Sequence, residues 1–138
     1  GMNQSSCLFC QIVAGTIPCH KLFEGEQVMA FLDISPVRPG HALIIPKQHI
    51  ETMYDMPKEL LGPWMGTVQL VAKAQRDVLG CAGVNLLQNN GAAAGQVIHH
   101  VHMHAIPRDE QDGLRHWPGT PLVDGALMAE RLARAIQP

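Results

Sequence analysis

The stretch His99-His100-Val101-His102-Met103-His104-Ala105-Ile106-Pro107 holds four of the eight histidines in this chain of 138 residues. Successive side chains of a β-strand point to opposite faces, so His100, His102 and His104 are expected on one face with apolar residues on the other. Imidazole can act as a nucleophile, a general acid or base, or a metal ligand near neutral pH. The run is internal and interleaved with strand-forming residues, unlike a purification tag. It predicts a functional site backed by a hydrophobic core.

The composition is typical of a globular domain, with 46% hydrophobic and 16% charged residues and a formal net charge of −2. A chain of this size can bury its own core, so we predict one domain over residues 1–138, with a C-terminal tail and helix over 109–138. The near-neutral charge argues against nucleic-acid binding through bulk positive charge. Because no apolar run nears the roughly 18 residues of a membrane span and no signal sequence is recognised, we expect a cytoplasmic protein. Gly1 before Met2 is interpreted as a remnant of tag removal.

Secondary structure is predicted from hydrophobic periodicity and turn residues. A helical turn is expected to end at Gly15, and a long helix at Gly80, because glycine suits the left-handed position after a helix. The pair Gly62-Pro63 leaves open whether the long helix is kinked there or begins there. We expect this helix to cover the apolar face of the histidine strand. Four other strands are predicted at residues 21–24, 28–34, 41–46 and 84–88, and a terminal amphipathic helix follows through Leu127 and Leu132.

Two further segments carry chemistry. Cys7 and Cys10 form a C-x-x-C pair whose sulfurs can reach one tetrahedral metal ion, but two half-buried thiols are the simpler interpretation of the pair alone. Cys19 and Cys81 have no such partner nearby and are expected to be packing residues. The small residues of loop 89–96 would let an anion approach backbone N–H groups, with an ordinary hairpin loop as the alternative.

The segment from His100 to Ile106 matches, at every position, the signature His-φ-His-φ-His-φ-φ of the histidine triad (HIT) family, where φ is apolar. The chain also resembles the Hint-type branch of that family in FLDISP at 31–36, IPKQHI at 45–50, Gly95-Gln96, and HWPG at 116–119. The resemblance covers roughly residues 7–119. It implies an α+β fold with a five-stranded antiparallel sheet, one long helix and short N- and C-terminal helices. It also implies a homodimer in which two sheets join into one of ten strands.

The resemblance further implies a nucleotide hydrolase or nucleotidyl transferase acting at an α-phosphate, specifically a purine nucleoside phosphoramidase. His102 would be the nucleophile that forms a covalent nucleotidyl-histidine. His104 would donate to the phosphate, assisted by His100 and His41. By the same resemblance, the nucleotide-binding residues are Phe9, Ile12, Phe31, Asp33, Ile34, Asn89, Gly95, Gln96, Val97 and Trp117. Asp33 would bind ribose, the apolar residues would hold the base, and Trp117 would approach the site of the partner subunit.

A structural zinc site is implied in the same way. Bacterial relatives with the N-terminal C-x-x-C pair resemble this chain in adding two histidines, which gives the ligand set Cys7, Cys10, His49 and His100. Two thiolates and two imidazoles form a closed tetrahedral set typical of structural zinc. The alternative is a metal-free site in which His100 only hydrogen-bonds within the triad.

Two departures from the branch pattern bear on activity. Val97 stands where many members carry a hydroxyl residue that protonates the leaving group, so phosphoramidase activity is weakened or the acid role passes to His104, His41 or water. Leu32 stands where some members carry a second histidine. Three other functions remain as alternatives: a dinucleoside polyphosphate hydrolase, a nucleotide-binding regulatory module with weak turnover, and a zinc-dependent structural protein.

Overall fold

A computed structural model describes residues 6–136, so the interpretation of Gly1 lies outside the described residues. The strands form one antiparallel sheet in the order β1-β2-β3-β5-β4. Their bounds are β1 Lys21–Glu24, β2 Val28–Leu32, β3 Ala42–Pro46, β4 Gly83–Gln88 and β5 Met103–Arg108. The α-helices are α1 Leu8–Ala14, α2 Lys58–Ala74 and α3 Gly125–Ala135. The predicted α+β architecture with a five-stranded antiparallel sheet is confirmed.

Helix α2 begins before Gly62-Pro63 and passes through Pro63 without interruption. Pro63 lies in the second turn, where its missing N–H removes one intrahelical hydrogen bond. The helix continues into a π-helical turn, Gln75–Leu79, and ends at Gly80 with φ of 66°. The predicted left-handed glycine at the helix end is therefore confirmed. The helix begins at Lys58, five residues before Pro63, so the alternative of a start at Pro63 is wrong.

One face of the sheet packs against α2, as expected from the alternation in the histidine stretch. Trp64 is fully buried and its Nε1–H donates to the Ile44 carbonyl at 3.0 Å. The apolar residues between the histidines lie in this same core. Its main members are Leu60, Trp64, Val68, Val71, Ile44, Val101, Met103 and Ala105. The histidines are thereby directed to the opposite face.

The opposite face is partly covered by α1. Phe9 and Ile12 of this helix are buried against Phe31 and Leu43 of the sheet. The helix ends at Gly15, whose φ of 81° confirms the predicted stop. It starts at Leu8, where the Cys7 sulfur accepts the Cys10 N–H and caps the first turn.

The histidine stretch is a strand only in its second half, so the expectation of one continuous histidine strand is wrong in this detail. Strand β5 begins at Met103, where pairing with Gln88 of β4 also begins. Before that point the Val101 N–H donates instead to the Ile50 carbonyl, at 2.7 Å. The alternation of faces persists nevertheless, because the rings of His102 and His104 lie 4.9 Å apart.

The C-terminal region forms the predicted helix, α3, but none of its residues is buried. Leu127, Met128 and Leu132 give it an exposed apolar side. None of the helices in the described range 6–136 has the length and apolar character that crossing a bilayer requires.

Candidate active site

A pocket of about 480 Å³ opens between α1, the end of β2 and the loop before the histidine stretch. Its floor is apolar and its inner wall carries two imidazoles. Nine of the predicted site residues line it: Phe9, Ile12, Phe31, Asp33, Ile34, Gly95, Val97, His102 and His104. Residues more than 90 positions apart in the sequence are thus brought to one concave surface.

Five predicted site residues lie outside the pocket wall. His41 is buried behind His104, and the fully buried side chain of His100 turns away towards the N-terminal cysteines. Asn89 donates its Nδ2–H to the Gly95 carbonyl, at 3.4 Å. Gln96 lies under the loop with 3% of its surface exposed. Trp117 is 81% exposed and lies in a separate groove along β4, away from this pocket.

Sequence reasoning missed part of the pocket wall. The segment between α1 and β1 contributes Ile17, Pro18 and Cys19, and the residue before the histidines, Ile98, adds another apolar surface. The only signal for the first three was indirect. The left-handed turn at Gly15 reverses the chain after the predicted base-binding residues, so the following segment had to pass beside them.

His102 is held in one tautomer by a backbone group. Its Nδ1 atom lies 2.7 Å from the His100 carbonyl oxygen, which can only accept a hydrogen bond. Nδ1 therefore carries the proton and Nε2 presents a lone pair. Burial lowers the pKa of His102 below its ordinary value of 6.5, which favours the neutral ring. A neutral imidazole with free Nε2 is the form required of a nucleophile.

His41 and His104 form a hydrogen-bonded relay whose direction is fixed by the backbone. The Val37 N–H donates to His41 Nδ1 at 3.1 Å, so the neutral His41 ring carries its proton on Nε2. That Nε2–H donates to His104 Nδ1 at 2.9 Å. His104 must then carry its own proton on Nε2. Burial lowers the pKa of His41, and it lowers that of His104 to about 4 with help from the neighbouring imidazoles His102 and His41.

Asp33 lies beside this relay, and the three residues together do not form a metal site. Its Oδ2 lies 3.6 Å from His41 Nε2, and Asp33, His41 and His104 offer ligand atoms within 4.8 Å of one another. A metal would need lone pairs on both His41 Nε2 and His104 Nδ1. The Val37 N–H occupies the lone pair of His41 Nδ1, so a neutral His41 keeps a proton on Nε2. The three residues therefore form a hydrogen-bonded cluster in which the tautomers of His41 and His104 are fixed, and they are not arranged to bind a metal.

The small-residue loop is closed on itself. Gly91 and Gly95 have φ of 92° and 94° and flank a 3₁₀ turn. The Gly95 and Gln96 N–H groups donate within the loop, to the Ala92 and Gly91 carbonyls at 3.0 and 3.1 Å. The turn therefore uses the N–H groups of Gly95 and Gln96 itself, and the prediction that loop 89–96 binds an anion depends on its other N–H groups.

The Gln96 side chain supports this loop from inside the protein. Its Oε1 accepts the Gly91 N–H at 2.8 Å, and its Nε2 donates to the Glu51 and Ile98 carbonyls at 2.7 and 3.1 Å. One side-chain amide thus bonds to the loop, to the segment after β3 and to Ile98, the residue just before the histidine stretch. Gln96 acts on the pocket through the backbone that it holds.

A second cluster lies behind the histidine stretch, at the start of α1. Cys7, Cys10, His49 and His100 offer four ligand atoms within 4.8 Å of one another. Sulfur to nitrogen distances are 3.4 Å from Cys7 to His100, 3.6 Å from Cys10 to His100 and 3.3 Å from Cys10 to His49. A tetrahedral zinc ion with ordinary bond lengths separates sulfur from nitrogen by about 3.5 Å.

The protonation pattern of this cluster also fits a metal. His100 Nε2 lies 2.8 Å from the Pro46 carbonyl, so it carries the proton and leaves the Nδ1 lone pair facing both sulfurs. This is the usual support of a zinc-binding histidine by a backbone carbonyl. Burial, with the neighbouring Cys7 sulfur, raises the pKa of the Cys10 thiol to about 11. Without a cation nearby, the thiolate form of Cys10 is therefore disfavoured. A bound metal cation would stabilise the thiolate and so complete the set of four ligands.

The profile of the HIT domain matches residues 14–111, which is more than half of the chain. The chain belongs to the HIT family. It is 50% identical over 103 residues to Protein hit of Bacillus subtilis, covering 75% of this chain and 71% of that protein. It is 45% identical over 119 residues to adenosine 5′-monophosphoramidase hnt1 of Schizosaccharomyces pombe, covering 85% and 86%. Adenylylsulfatase HINT3 of Arabidopsis thaliana is 45% identical over 130 residues, covering 94% of this chain and 65% of that protein.

Solved HIT structures have the same fold. A HIT family protein from Bacillus subtilis has a TM-score of 0.89 at 41% identity, covering 96% of this chain and 99% of the other. A zinc-bound histidine triad family protein from Mycobacterium smegmatis has a TM-score of 0.77 at 35% identity, covering 96% and 97%.

The triad of this HIT chain is thus divided between two sites. The His100 side chain faces the cysteines, while its carbonyl fixes the tautomer of His102. His102 and His104 face the pocket. The His100 ring therefore does not line the pocket, and this residue contacts His102 through its backbone carbonyl.

Proposed function

We propose that this HIT protein is a nucleotide hydrolase that acts at the α-phosphate through a covalent nucleotidyl-His102, with adenosine 5′-phosphoramidates as substrates. One observation carries the proposal: the 2.7 Å contact from His102 Nδ1 to the His100 carbonyl leaves Nε2 unprotonated in the pocket. The names of relatives support it, since the similar Schizosaccharomyces pombe and Saccharomyces cerevisiae proteins are adenosine 5′-monophosphoramidases.

The purine base would bind in the apolar part of the pocket. Phe9 and Phe31 pack edge to face there, with ring centroids 5.5 Å apart, and Ile12 and Ile34 extend the apolar wall. Asp33 would accept from the ribose hydroxyls through Oδ2, because its Oδ1 already accepts the Ser35 N–H at 2.8 Å. These contacts would direct the α-phosphate to the imidazoles at the inner end.

The chemistry would proceed in two displacements. His102 Nε2 attacks the α-phosphorus, the bond from phosphorus to the leaving group breaks, and the leaving group departs with the electron pair and takes a proton from solvent water. Water then attacks the phosphorus, the phosphorus–nitrogen bond breaks, and the electron pair returns to Nε2. The water proton is released to solvent, and the nucleoside monophosphate departs.

His104 would stabilise the charge that develops on the phosphate in each step. Its Nε2–H is a neutral donor, held in place by the bond from His41. A donor that is already oriented needs no rearrangement during the reaction, which is the main source of electrostatic catalysis.

Val97 favours a second group of substrates at the same site. It lines the pocket and is 84% exposed, so an aliphatic side chain stands beside the reacting groups instead of a proton donor. Leaving groups that depart as stable anions, such as a nucleotide or sulfate, need no such donor. Dinucleoside polyphosphates and adenylylsulfate are therefore the second candidates, and the similar Arabidopsis protein is named an adenylylsulfatase.

We also propose that Cys7, Cys10, His49 and His100 hold one zinc ion. With four protein ligands and no open position, the metal would supply structural stability by joining α1 to the histidine stretch. Because α1 carries Phe9, this would fix the base-binding wall relative to His102.

A homodimer is proposed through β4. This strand is one edge of the sheet, and its residues are exposed or half-buried, including Leu86 at 46%. An unpaired edge can join the same edge of a second copy to form a ten-stranded sheet. Trp117 lies beside this edge and would then approach the pocket of the partner subunit.

The decisive test is intact-protein mass spectrometry after brief mixing with an adenosine phosphoramidate and an acid quench. A mass increase of one AMP, absent in His102→Ala and present in the exposed-histidine control His20→Ala, would support the covalent route. Adenylylsulfate and a diadenosine polyphosphate are tested in parallel. An adduct from these two substrates alone would favour the second group, and no adduct or released AMP from any of them would refute the proposal.

A further inference from the structure

Gln75 is a buried polar residue outside the pocket whose contacts point back to it. It begins the π-helical turn after α2, on the face of the sheet opposite the imidazoles, and only 5% of its surface is exposed. Its Nε2 donates to two carbonyl oxygens, those of Gly40 and Ala105, at 2.9 Å each. The Gly40 carbonyl lies just before β3, and the Ala105 carbonyl lies in β5.

The two accepting residues are the immediate neighbours of the relay histidines. Gly40 precedes His41, and Ala105 follows His104. The regular pairing of β3 with β5 extends only as far as the pair Ala42 and Ala105. The Gln75 amide therefore joins the approach to β3 and strand β5 just beyond the end of their paired region. On the opposite face of the sheet, the 2.9 Å hydrogen bond from His41 to His104 joins the same two segments.

The π-helical turn packs closely against the backbone at Gly40. Gly40 has φ of 89°, and a Cβ atom there would lie 2.5 Å from Leu79 Cδ1 in the same π-helical turn. The turn thus presses directly on the backbone before His41. A wide helical turn is uncommon and is often found at functional positions.

The orientation of the Gln75 side-chain amide is fixed, and it leaves one buried oxygen without a hydrogen bond. Reversing it would place Oε1 against two carbonyl oxygens, so the assignment of Nε2 as the donor follows from its partners. Oε1 is then buried without a hydrogen-bond partner. A buried acceptor left unpaired is unfavourable for folding, so stability alone does not account for glutamine at this position.

We propose that Gln75 is a positioning residue for the relay. By holding the carbonyl before His41 and the carbonyl after His104 on one amide, it sets the distance and direction between the two imidazoles. Its effect on turnover rests on the proposed hydrolase function, whereas its effect on the imidazoles does not.

The test uses the ¹⁵N- and ¹³C-labelled full chain in solution NMR, combined with steady-state kinetics. In the unaltered protein, scalar couplings across the hydrogen bonds are sought from the Gln75 side-chain nitrogen to the Gly40 and Ala105 carbonyl carbons. Ring ¹⁵N shifts of His41 and His104 are then compared in Gln75→Met and Gln75→Glu. Thr67→Val is the matched control, because Thr67 is a buried polar residue of α2 whose hydroxyl donates within its own helix, to Pro63.

We expect both couplings in the unaltered protein and Nε2–H tautomers for both histidines. In Gln75→Met the His104 ring shifts should move towards an average of the two tautomers, and kcat should fall by about tenfold or more while KM changes by less than about twofold. Thr67→Val should change neither. Gln75→Met also takes the donor from the Gly40 and Ala105 carbonyls, so we expect a lower melting temperature. Ring shifts and kcat are therefore measured well below that temperature, where they report on folded protein and separate positioning from a loss of stability.

Absence of the couplings, or unchanged ring shifts in a folded Gln75→Met protein, would overturn the proposal. If Gln75→Met does not fold, the same ring shifts and kinetics in Gln75→Glu decide the matter, because an ionised carboxylate cannot donate to either carbonyl. If the unaltered protein shows both couplings and the expected tautomers but hydrolyses no nucleotide, the proposed function fails while the positioning of the relay stands.

Discussion

His41 Nε2 lies 2.9 Å from His104 Nδ1, although 63 positions separate the two residues in the sequence. The bond has one direction, because the Val37 N–H already occupies His41 Nδ1. A backbone amide far from the histidine stretch therefore dictates which nitrogen of His104 carries its proton. That proton is on Nε2, the nitrogen suited to donate to a phosphate in the pocket.

Removing the relay donor should lower kcat more than it alters binding. In His41→Phe, His104 Nδ1 loses its hydrogen-bond donor, so both tautomers of His104 become populated and fewer molecules present Nε2–H. Complete loss of one preorganised donor costs about a hundredfold to a thousandfold in kcat. Because His41→Phe only reduces the population of the donating tautomer, we expect a smaller fall in kcat, of up to about a hundredfold. Steady-state kinetics measures the effect, with His20→Phe as an exposed-histidine control. An unchanged kcat in a folded His41→Phe protein would show that the relay has no part in turnover.

The pH dependence follows from the neutral state of His104. Burial and the neighbouring imidazoles lower its pKa from 6.5 to about 4. Protonated His104 would carry hydrogens on both nitrogens and face the His41 Nε2–H, which breaks the relay. We expect kcat to be flat from pH 8 to about 5 and to fall below that, approaching tenfold per pH unit below about 4. A fall centred near pH 6.5 would contradict the assignment.

Stability should change over the same range. A lowered folded-state pKa means that the unfolded chain binds more protons between pH 6.5 and about 4. The contribution of neutral His104 to the free energy of unfolding is therefore complete above pH 6.5 and is lost as the pH falls towards 4. Urea titrations at several pH values measure this, and they also define the range in which the kinetic profile reports on folded protein.

Much of the fold could be predicted because it depends on local patterns. The alternation of histidines with apolar residues correctly placed Val101 and Met103 under α2, and Gly80 correctly marked the end of the helix. The start of β5 could not be predicted, because it is decided by the distant Ile50 carbonyl, which takes the Val101 N–H out of the ladder. Boundaries set by partners remote in sequence leave no periodic signal.

The site shows the same division. Side chains that face the pocket, such as Phe9 and Asp33, occur in motifs that resemble the family. The groups that orient them do not: the Val37 N–H is a backbone atom, and Gln75 lies in a helix on the other face of the sheet. The resemblance of the Gly95-Gln96 motif implies that Gln96 binds the nucleotide, whereas its side-chain amide is buried and donates to the Glu51 carbonyl. Adjacency in sequence does not reveal which way a side chain points.

Loss of the proposed zinc ion should lower the melting temperature. In Cys10→Ser the ligand set is broken, so α1 is no longer joined to His100. A ligand present at about a thousandfold above its Kd contributes about 4 kcal/mol, which for a domain of this size corresponds to about 10–15 °C. Calorimetry and elemental analysis of metal content measure both effects. Cys19→Ser is the matched control, because Cys19 lies outside the ligand cluster. Equal metal content in the two variants would refute the site.

The support given by Gln96 to the loop is testable by an apolar substitution. Gln96→Leu removes three hydrogen bonds and leaves the Gly91 N–H without its side-chain acceptor inside the protein. We expect a loss of about 2–4 kcal/mol in the free energy of unfolding and a higher KM, since buried unpaired groups are costly. Gln88→Leu, which removes one amide bond to Asn89, is the control. Chemical denaturation measures stability, and a loss no larger than that of the control would contradict the supporting role.

Val97 should determine which leaving groups the site accepts. A serine at this position would place a hydroxyl proton donor on the pocket wall, where 84% of the valine is now exposed. Proton donation to an amine leaving group is worth about a hundredfold or more, whereas sulfate departs as a stable anion and gains little. In Val97→Ser we therefore expect kcat/KM for an adenosine phosphoramidate to rise by at least about tenfold, with that for adenylylsulfate changed by less than about threefold. Val97→Ala controls for the change in size, because it opens the same space without a hydroxyl. If Val97→Ser and Val97→Ala raise phosphoramidate hydrolysis equally, steric access rather than proton donation limits this substrate.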